Sequence, residues 1–102
     1  MGSLHIDIPR NQIAELCRRH HIRRLSLFGS VMRDDFSPQS DVDVLVEFEQ
    51  GGKPSLAGIV HLQDELSGLF GQRRVDVTTP SILRNPYRRK AILKDLTPIY
   101  GV

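Results

Sequence analysis

Two aspartates one residue apart, Asp41 and Asp43, open a run of alternating apolar residues, Asp-Val-Asp-Val-Leu-Val-Glu-Phe over 41–48. On a strand, side chains at i and i+2 share a face, and a rise of about 3.3 Å per residue sets their Cα atoms about 6.6 Å apart. Two carboxylates inclined from that spacing can share a pair of divalent cations about 3.5–4 Å apart. Val42, Val44 and Val46 then point the other way, so the strand has a wet, acidic end and a dry back. Asp76, between Val75 and Val77, repeats this logic near the start of a second strand candidate. If the two strands are neighbours, three carboxylates converge, and their mutual repulsion calls for a cation. An all-oxygen set suits Mg²⁺ or Mn²⁺ better than zinc, and no Cys/His cluster competes for that role.

A second element of chemistry precedes the pair. Gly29-Ser30 follows the short apolar run Leu25-Ser26-Leu27-Phe28, with ten residues between Ser30 and Asp41. Glycine lets backbone approach a ligand closely. A serine directly after it can cap a short helix and offer both hydroxyl and N–H groups to a phosphate oxygen. Arg33, about one helical turn on, is placed to reach the same polyphosphate. Each feature alone is commonplace: Gly-Ser marks many turns, Asp-X-Asp is often solvated, and a lone arginine is often a surface charge. Their joint occurrence in this order carries the inference.

These residues need elements to hold them. Residues 9–21 place Ile13, Leu16 and Cys17 at helical spacing, with Pro9 suited to the first turn and Asp7 as a cap. Residues 25–28 read as a strand, 30–35 as about one helical turn, and 36–40 as a loop around Pro38. Residues 41–48 are the strongest strand signal. Gly51, Gly52 and Pro54 mark a turn before an amphipathic helix over 55–70, with apolar positions at Leu56, Ile59, Val60, Leu62, Leu66, Leu69 and Phe70, closed by Gly71. Residues 74–78 read as a strand, 87–96 as a helix, and 97–102 as a last short strand or an irregular end. This order predicts an α/β (α+β) domain, a small mixed sheet with helices packed against it.

Composition sets the bounds. At 102 residues the chain suits one domain over 1–102, with one modest core. Fourteen basic against twelve acidic residues leave a net charge of +2, a milder excess than a dedicated nucleic-acid binder shows. The basic residues gather at Arg18, Arg19, Arg23 and Arg24, and again from Arg73 to Lys90. They read as solvated element ends, or as a surface for phosphates or an acidic partner. One cysteine, Cys17, excludes an internal disulfide and reads as a small core residue in a reducing compartment. With no secretory signal at the start and no apolar run near the roughly 20 residues that span a bilayer, the expected location is the cytoplasm, away from membranes. His5, His20, His21 and His61 have no metal-ligand spacing and receive no role.

Leu-Phe-Gly-Ser, nine residues, then Ser-Asp-Val-Asp-Val-Leu-Val resembles the signature of the DNA polymerase beta superfamily of nucleotidyltransferases. The short length is similar to that of its minimal nucleotidyltransferases, which pair as antitoxins with HEPN-domain toxins. The resemblance spans about residues 22–100. It implies a polymerase beta-like nucleotidyltransferase fold and metal binding by Asp41, Asp43 and Asp76, with Asp76 helping to deprotonate the attacking hydroxyl. It implies β- and γ-phosphate binding by Ser30 and the Gly29 backbone, two Mg²⁺ ions, and ATP as the nucleoside triphosphate. The expected reaction moves AMP to a hydroxyl acceptor, a tyrosine of the HEPN partner. Asp34 stands where many relatives carry a glycine.

Two rival readings follow from the same residues. One is a binding module that neutralises its partner by contact, with the acidic cluster a relic. The other is a nucleic-acid binder using the arginine clusters, against which stand the absence of Trp and of basic–aromatic interleaving. Whether the chain forms a homo-oligomer stays open.

Overall fold

Apolar side chains recurring every three to four residues make α1, Arg10–Arg19, and bring Ile13, Leu16 and Cys17 round to one fully buried face. Pro9 is its N-cap and makes no side-chain cap bond. Arg18 and Arg19 occupy the last turn, where positive charge meets the negative end of the helix dipole. The structure, a computed structural model, describes residues 8–29, 40–51 and 55–101. Asp7, read above as a cap, lies outside the described residues, as does the helical turn read over 30–35.

His21, at φ 57°, turns the chain into β1, Ile22–Phe28, which begins three residues earlier than its sequence suggests. The adjacent charges of Arg23 and Arg24 conceal that start. β2, Val42–Phe48, pairs antiparallel with β1, and Leu27 faces Val44 while Leu25 faces Val46. Residues opposite one another share a face. The valines of β2 and the leucines of β1 therefore form one apolar surface.

A crossover follows. α2, Leu56–Leu69, starts at Ser55, whose Oγ accepts the Gly58 N–H at 3.2 Å. It ends at Phe70; Gly71 then takes φ 76°, and the Gln72 N–H donates to the Ser67 carbonyl at 2.8 Å. That bond and the left-handed glycine make the helix close of a Schellman motif. β3, Val75–Thr78, returns parallel to β2. Leu62 and Leu66 are buried, but Leu56 and Val60 are exposed, so the apolar stripe read over 55–70 covers less core than its composition suggests.

After β3, a 3₁₀ turn over Pro80–Arg84 leads into α3, Pro86–Asp95, and then β4, Thr97–Tyr100. The 3₁₀ turn has no sequence reading above, and the tail resolves into a strand. β4 pairs antiparallel with β1, giving the sheet order β3-β2-β1-β4. α1 and α2 cover the Val42/Val44/Val46 face, together with Leu25, Leu27, Val75 and Ile99. On the other face Phe28 and Leu45 pack with Ile92 of α3, flanked by Ile82, Leu83 and Leu96. The mixed sheet with helices packed against it is as expected. Among the described residues no helix is long and apolar enough to cross a membrane.

Candidate active site

Asp43 lies on the second residue of the central strand pair's open end. Across β1 it stands opposite Phe28, the last residue before Gly29. Across β3 it stands level with Asp76, in a parallel register that also matches Val42 with Val75 and Val44 with Val77. Neighbouring strands lie about 4.8 Å apart, and level residues in a pleated sheet point to the same side. The backbone thus places Asp43 and Asp76 as adjacent side chains on one face, while Val42, Val44 and Val75 are buried on the other.

Asp41 precedes the strand rather than beginning it, because β2 starts at Val42. The Val42 N–H donates to the Arg74 carbonyl at 2.8 Å, which holds this lip against the start of β3. Asp41 and Asp76 are exposed and Asp43 is half-buried. The carboxylates therefore form a graded corner, two groups level on neighbouring strands and one just before β2.

Gly29 completes the corner. It has φ 80°, and a Cβ at this position would stand 2.5 Å from Oδ2 of Asp43. Backbone presses here against a carboxylate in a way that only glycine permits. Ser30 and Arg33 lie outside the described residues.

Among the described residues, no three His, Cys, Asp or Glu side chains already stand as a closed metal-ligand set. What the fold supplies is backbone placement. Asp43 and Asp76 stand level on neighbouring strands at one sheet edge, beside a glycine that leaves the Asp43 carboxylate its space, and Asp41 lies just before the strand. That donor set fits a hard divalent cation, with water completing the coordination.

A pocket of about 300 Å³ opens beside these residues, lined by Phe28, Gly29 and Asp43 from the sheet and by Tyr87, Arg88, Ala91 and Ile92 from α3. Of these α3 residues the sequence marks only Arg88, as one of the basic residues read as solvated ends or a phosphate surface. The available signal was Asn85-Pro86, an N-cap followed by proline at the first helical position. Asn85 Oδ1 accepts the N–H groups of Tyr87 at 3.0 Å and Arg88 at 3.3 Å. This starts the helix where its first turn borders Gly29.

Two other polar features lie away from this corner. A larger groove, about 730 Å³, sits at the far end of β2 among Glu47, Phe48, Leu56 and Pro80, and contains none of the three aspartates. Chemistry rather than size therefore selects the smaller pocket. Elsewhere, Glu65 Oε1 lies 3.0 Å from both His20 Nε2 and His61 Nε2, and its Oε2 accepts from Arg19 at 2.9 Å. His61 thus has a carboxylate partner four residues on, a relationship missed in the sequence reading. With a guanidinium already on the carboxylate, this cluster ties the end of α1 to α2.

A small α/β domain with paired carboxylates on neighbouring strands beside a glycine turn defines the class of nucleotidyl-transferring folds. Residues 10–99 match the nucleotidyltransferase domain family, and the chain belongs to it. It is similar to the protein adenylyltransferase MntA of Thermococcus cleftensis, 37% identical over 82 residues covering 80% of this chain and 79% of that protein. It is also similar to MJ1379 of Methanocaldococcus jannaschii, provisionally named a protein adenylyltransferase, at 32% identity over 84% of this chain and 93% of that protein. A solved structure described provisionally as a minimal nucleotidyltransferase superposes with a TM-score of 0.67 at 36% identity, covering 87% of each chain. A toxin–antitoxin crystal structure with AMP-PNP shares the fold at a TM-score of 0.69 and 19% identity, over 93% of this chain and 75% of that one. The protein is thus an enzyme of the nucleotidyltransferase type.

Proposed function

We propose that this chain transfers AMP from ATP to a hydroxyl on a partner protein, and that it serves as the antitoxin of a toxin–antitoxin pair. The observation that carries this reading is the level register of Asp43 with Asp76, next to Gly29. The relatives' names supply the acceptor class, a protein, and the toxin–antitoxin setting. The HEPN identity of the toxin and a tyrosine acceptor rest on the sequence resemblance.

Asp41, Asp43 and Asp76 would hold two Mg²⁺ ions, or Mn²⁺, which when bound acidify the attacking hydroxyl and neutralise the departing pyrophosphate. Gly29, whose backbone is open to close approach, would receive the β- and γ-phosphates with Ser30, and Arg33 would add charge there. Asp76 would accept the proton of the attacking hydroxyl. The hydroxyl oxygen bonds to the α-phosphorus as the bond from phosphorus to the α–β bridging oxygen breaks. Pyrophosphate leaves with that electron pair. Chemistry of this kind is mainly positioning and charge stabilisation.

The test is co-expression with the product of the neighbouring gene, followed by intact mass measurement of both proteins. AMP-sized additions on the partner, absent with Asp41→Asn/Asp43→Asn, are the expected result. An unmodified partner that binds the double variant as well as the parent would establish neutralisation by contact instead.

A further inference from the structure

We propose that Arg88 and Tyr87 of α3 form the nucleotide-binding wall of this site, Arg88 meeting the polyphosphate and Tyr87 the base, while the acceptor enters from the β3 side. This inference rests on the nucleotidyl-transfer reading and adds the residues that decide nucleotide affinity.

The sheet order carries the assignment of sides. Asp43 is central, Asp76 is on its β3 flank, and Phe28-Gly29 are on its β1 flank. An in-line displacement puts attacking and leaving oxygens on opposite sides of the phosphorus. With Asp76 beside the attacking hydroxyl, the leaving pyrophosphate lies toward Gly29. The pocket shared by Gly29, Asp43 and α3 is on that same flank, and so belongs to the triphosphate and its nucleoside.

Its lining fits that occupant. Arg88 is the only basic residue among those lining the pocket, which Asp43 also lines. Arg88, Ala91 and Ile92 fall at i, i+3 and i+4, one stripe of the helix. Ile92 is 4% exposed and packs with Phe28 and Leu45, which turns this stripe toward the sheet. Tyr87 is 87% exposed at the pocket rim, a large flat ring not used by the core, on backbone that the Asn85 cap holds. Phe28, Ala91 and Ile92 give an apolar wall, Arg88 a fork of donors for phosphate oxygens, and Tyr87 a surface on which a base can stack. About 300 Å³ matches the lower range of small-molecule sites, enough for a nucleoside.

Binding of Mg²⁺ with a non-hydrolysable ATP analogue to the purified protein, measured by calorimetry, tests this together with steady-state kinetics on the partner protein. Arg88→Ala should weaken nucleotide binding and raise KM for ATP by about tenfold, the scale of one charge-assisted hydrogen bond. Arg88→Lys should recover part of the loss, and Tyr87→Phe should bind as the parent does while Tyr87→Ala binds weakly. KM for the acceptor should stay unchanged throughout. Both side chains are exposed, so thermal unfolding should be unaltered and loss of fold is separable from loss of binding. Unaltered nucleotide binding with a raised acceptor KM would assign the pocket to the acceptor and overturn the inference while leaving nucleotidyl transfer intact. A parent protein that binds no Mg²⁺–nucleotide would overturn the functional reading itself.

Discussion

A β-carbon on Gly29 would stand 2.5 Å from Oδ2 of Asp43, closer than any non-bonded carbon and oxygen comfortably approach. Gly29 also holds φ 80°, a conformation that an L side chain adopts only at a cost of roughly 1–2 kcal/mol. The two demands act on one residue, so Gly29→Ala must either shift the turn or push the carboxylate aside. Stability should fall by about 1–2 kcal/mol. Nucleotidyl transfer should fall far more, by about a hundredfold, because displacing a reacting group by about 1 Å costs that much. Comparing the denaturation midpoint with the transfer rate for this variant separates the two effects. Transfer at the parent rate would show that the Asp43 carboxylate does not need the space glycine leaves.

Ser26 offers the opposite case. It is fully buried in β1, opposite Leu45, and its Oγ has no hydrogen-bond partner among the described residues. A buried hydroxyl without a partner carries a desolvation penalty of about 1–3 kcal/mol. Ser26→Ala removes it with little change in volume. The variant should be as stable as the parent, or more stable by up to about 1 kcal/mol. A loss of more than that in chemical denaturation would reveal a partner for the hydroxyl.

Much of this architecture is legible in the residue pattern, for identifiable reasons. β2 is readable because Val42, Val44 and Val46 recur at every second position in an apolar run, and α1 because Ile13, Leu16 and Cys17 repeat at helical spacing. Asp41, Asp43 and Asp76 stand out as acids among valines. The level register of Asp43 with Asp76 is a property of strand pairing, set by residues distant in the chain, and sequence spacing does not contain it. The α3 wall is hidden for another reason. Only Ile92 of that helix is buried, so no periodic stripe announces which face meets the sheet. Arg88 therefore reads as one of several basic residues until Phe28 and Leu45 supply its orientation. The link from His20 to Glu65 joins two helices and is likewise tertiary, whereas His61 and Glu65 were visible four residues apart.

Cys17 should be chemically silent in the folded protein. It has no solvent exposure, and burial pushes its thiol pKa up to about 12, against a smaller lowering by Arg18. Thiol reagents attack the thiolate, which is scarce at mildly alkaline pH under these conditions. Labelling at about pH 8 should follow the rate or extent of unfolding and accelerate sharply in denaturant. Rapid stoichiometric labelling of the native protein would contradict its place in the core.

Glu65 should make part of the stability acid-labile. Its partial burial raises the carboxyl pKa, but hydrogen bonds from His20 and Arg19 and the charges of both outweigh this, and the net shift is downward. A carboxyl with a lowered pKa in the folded state binds fewer protons there than when unfolded. Its contribution is therefore fully present above the ordinary carboxylate range and is lost as pH falls through the folded value. Arg19 is largely solvent-facing, so the contribution is about 1 kcal/mol or less. Glu65→Gln should thus be slightly less stable than the parent at pH 7, with the gap closing as pH falls through and below the ordinary carboxylate range. Denaturant midpoints for both proteins across that range provide the check. A gap that stays constant with pH would mean that Glu65 supports the junction of α1 and α2 through packing, without its charge.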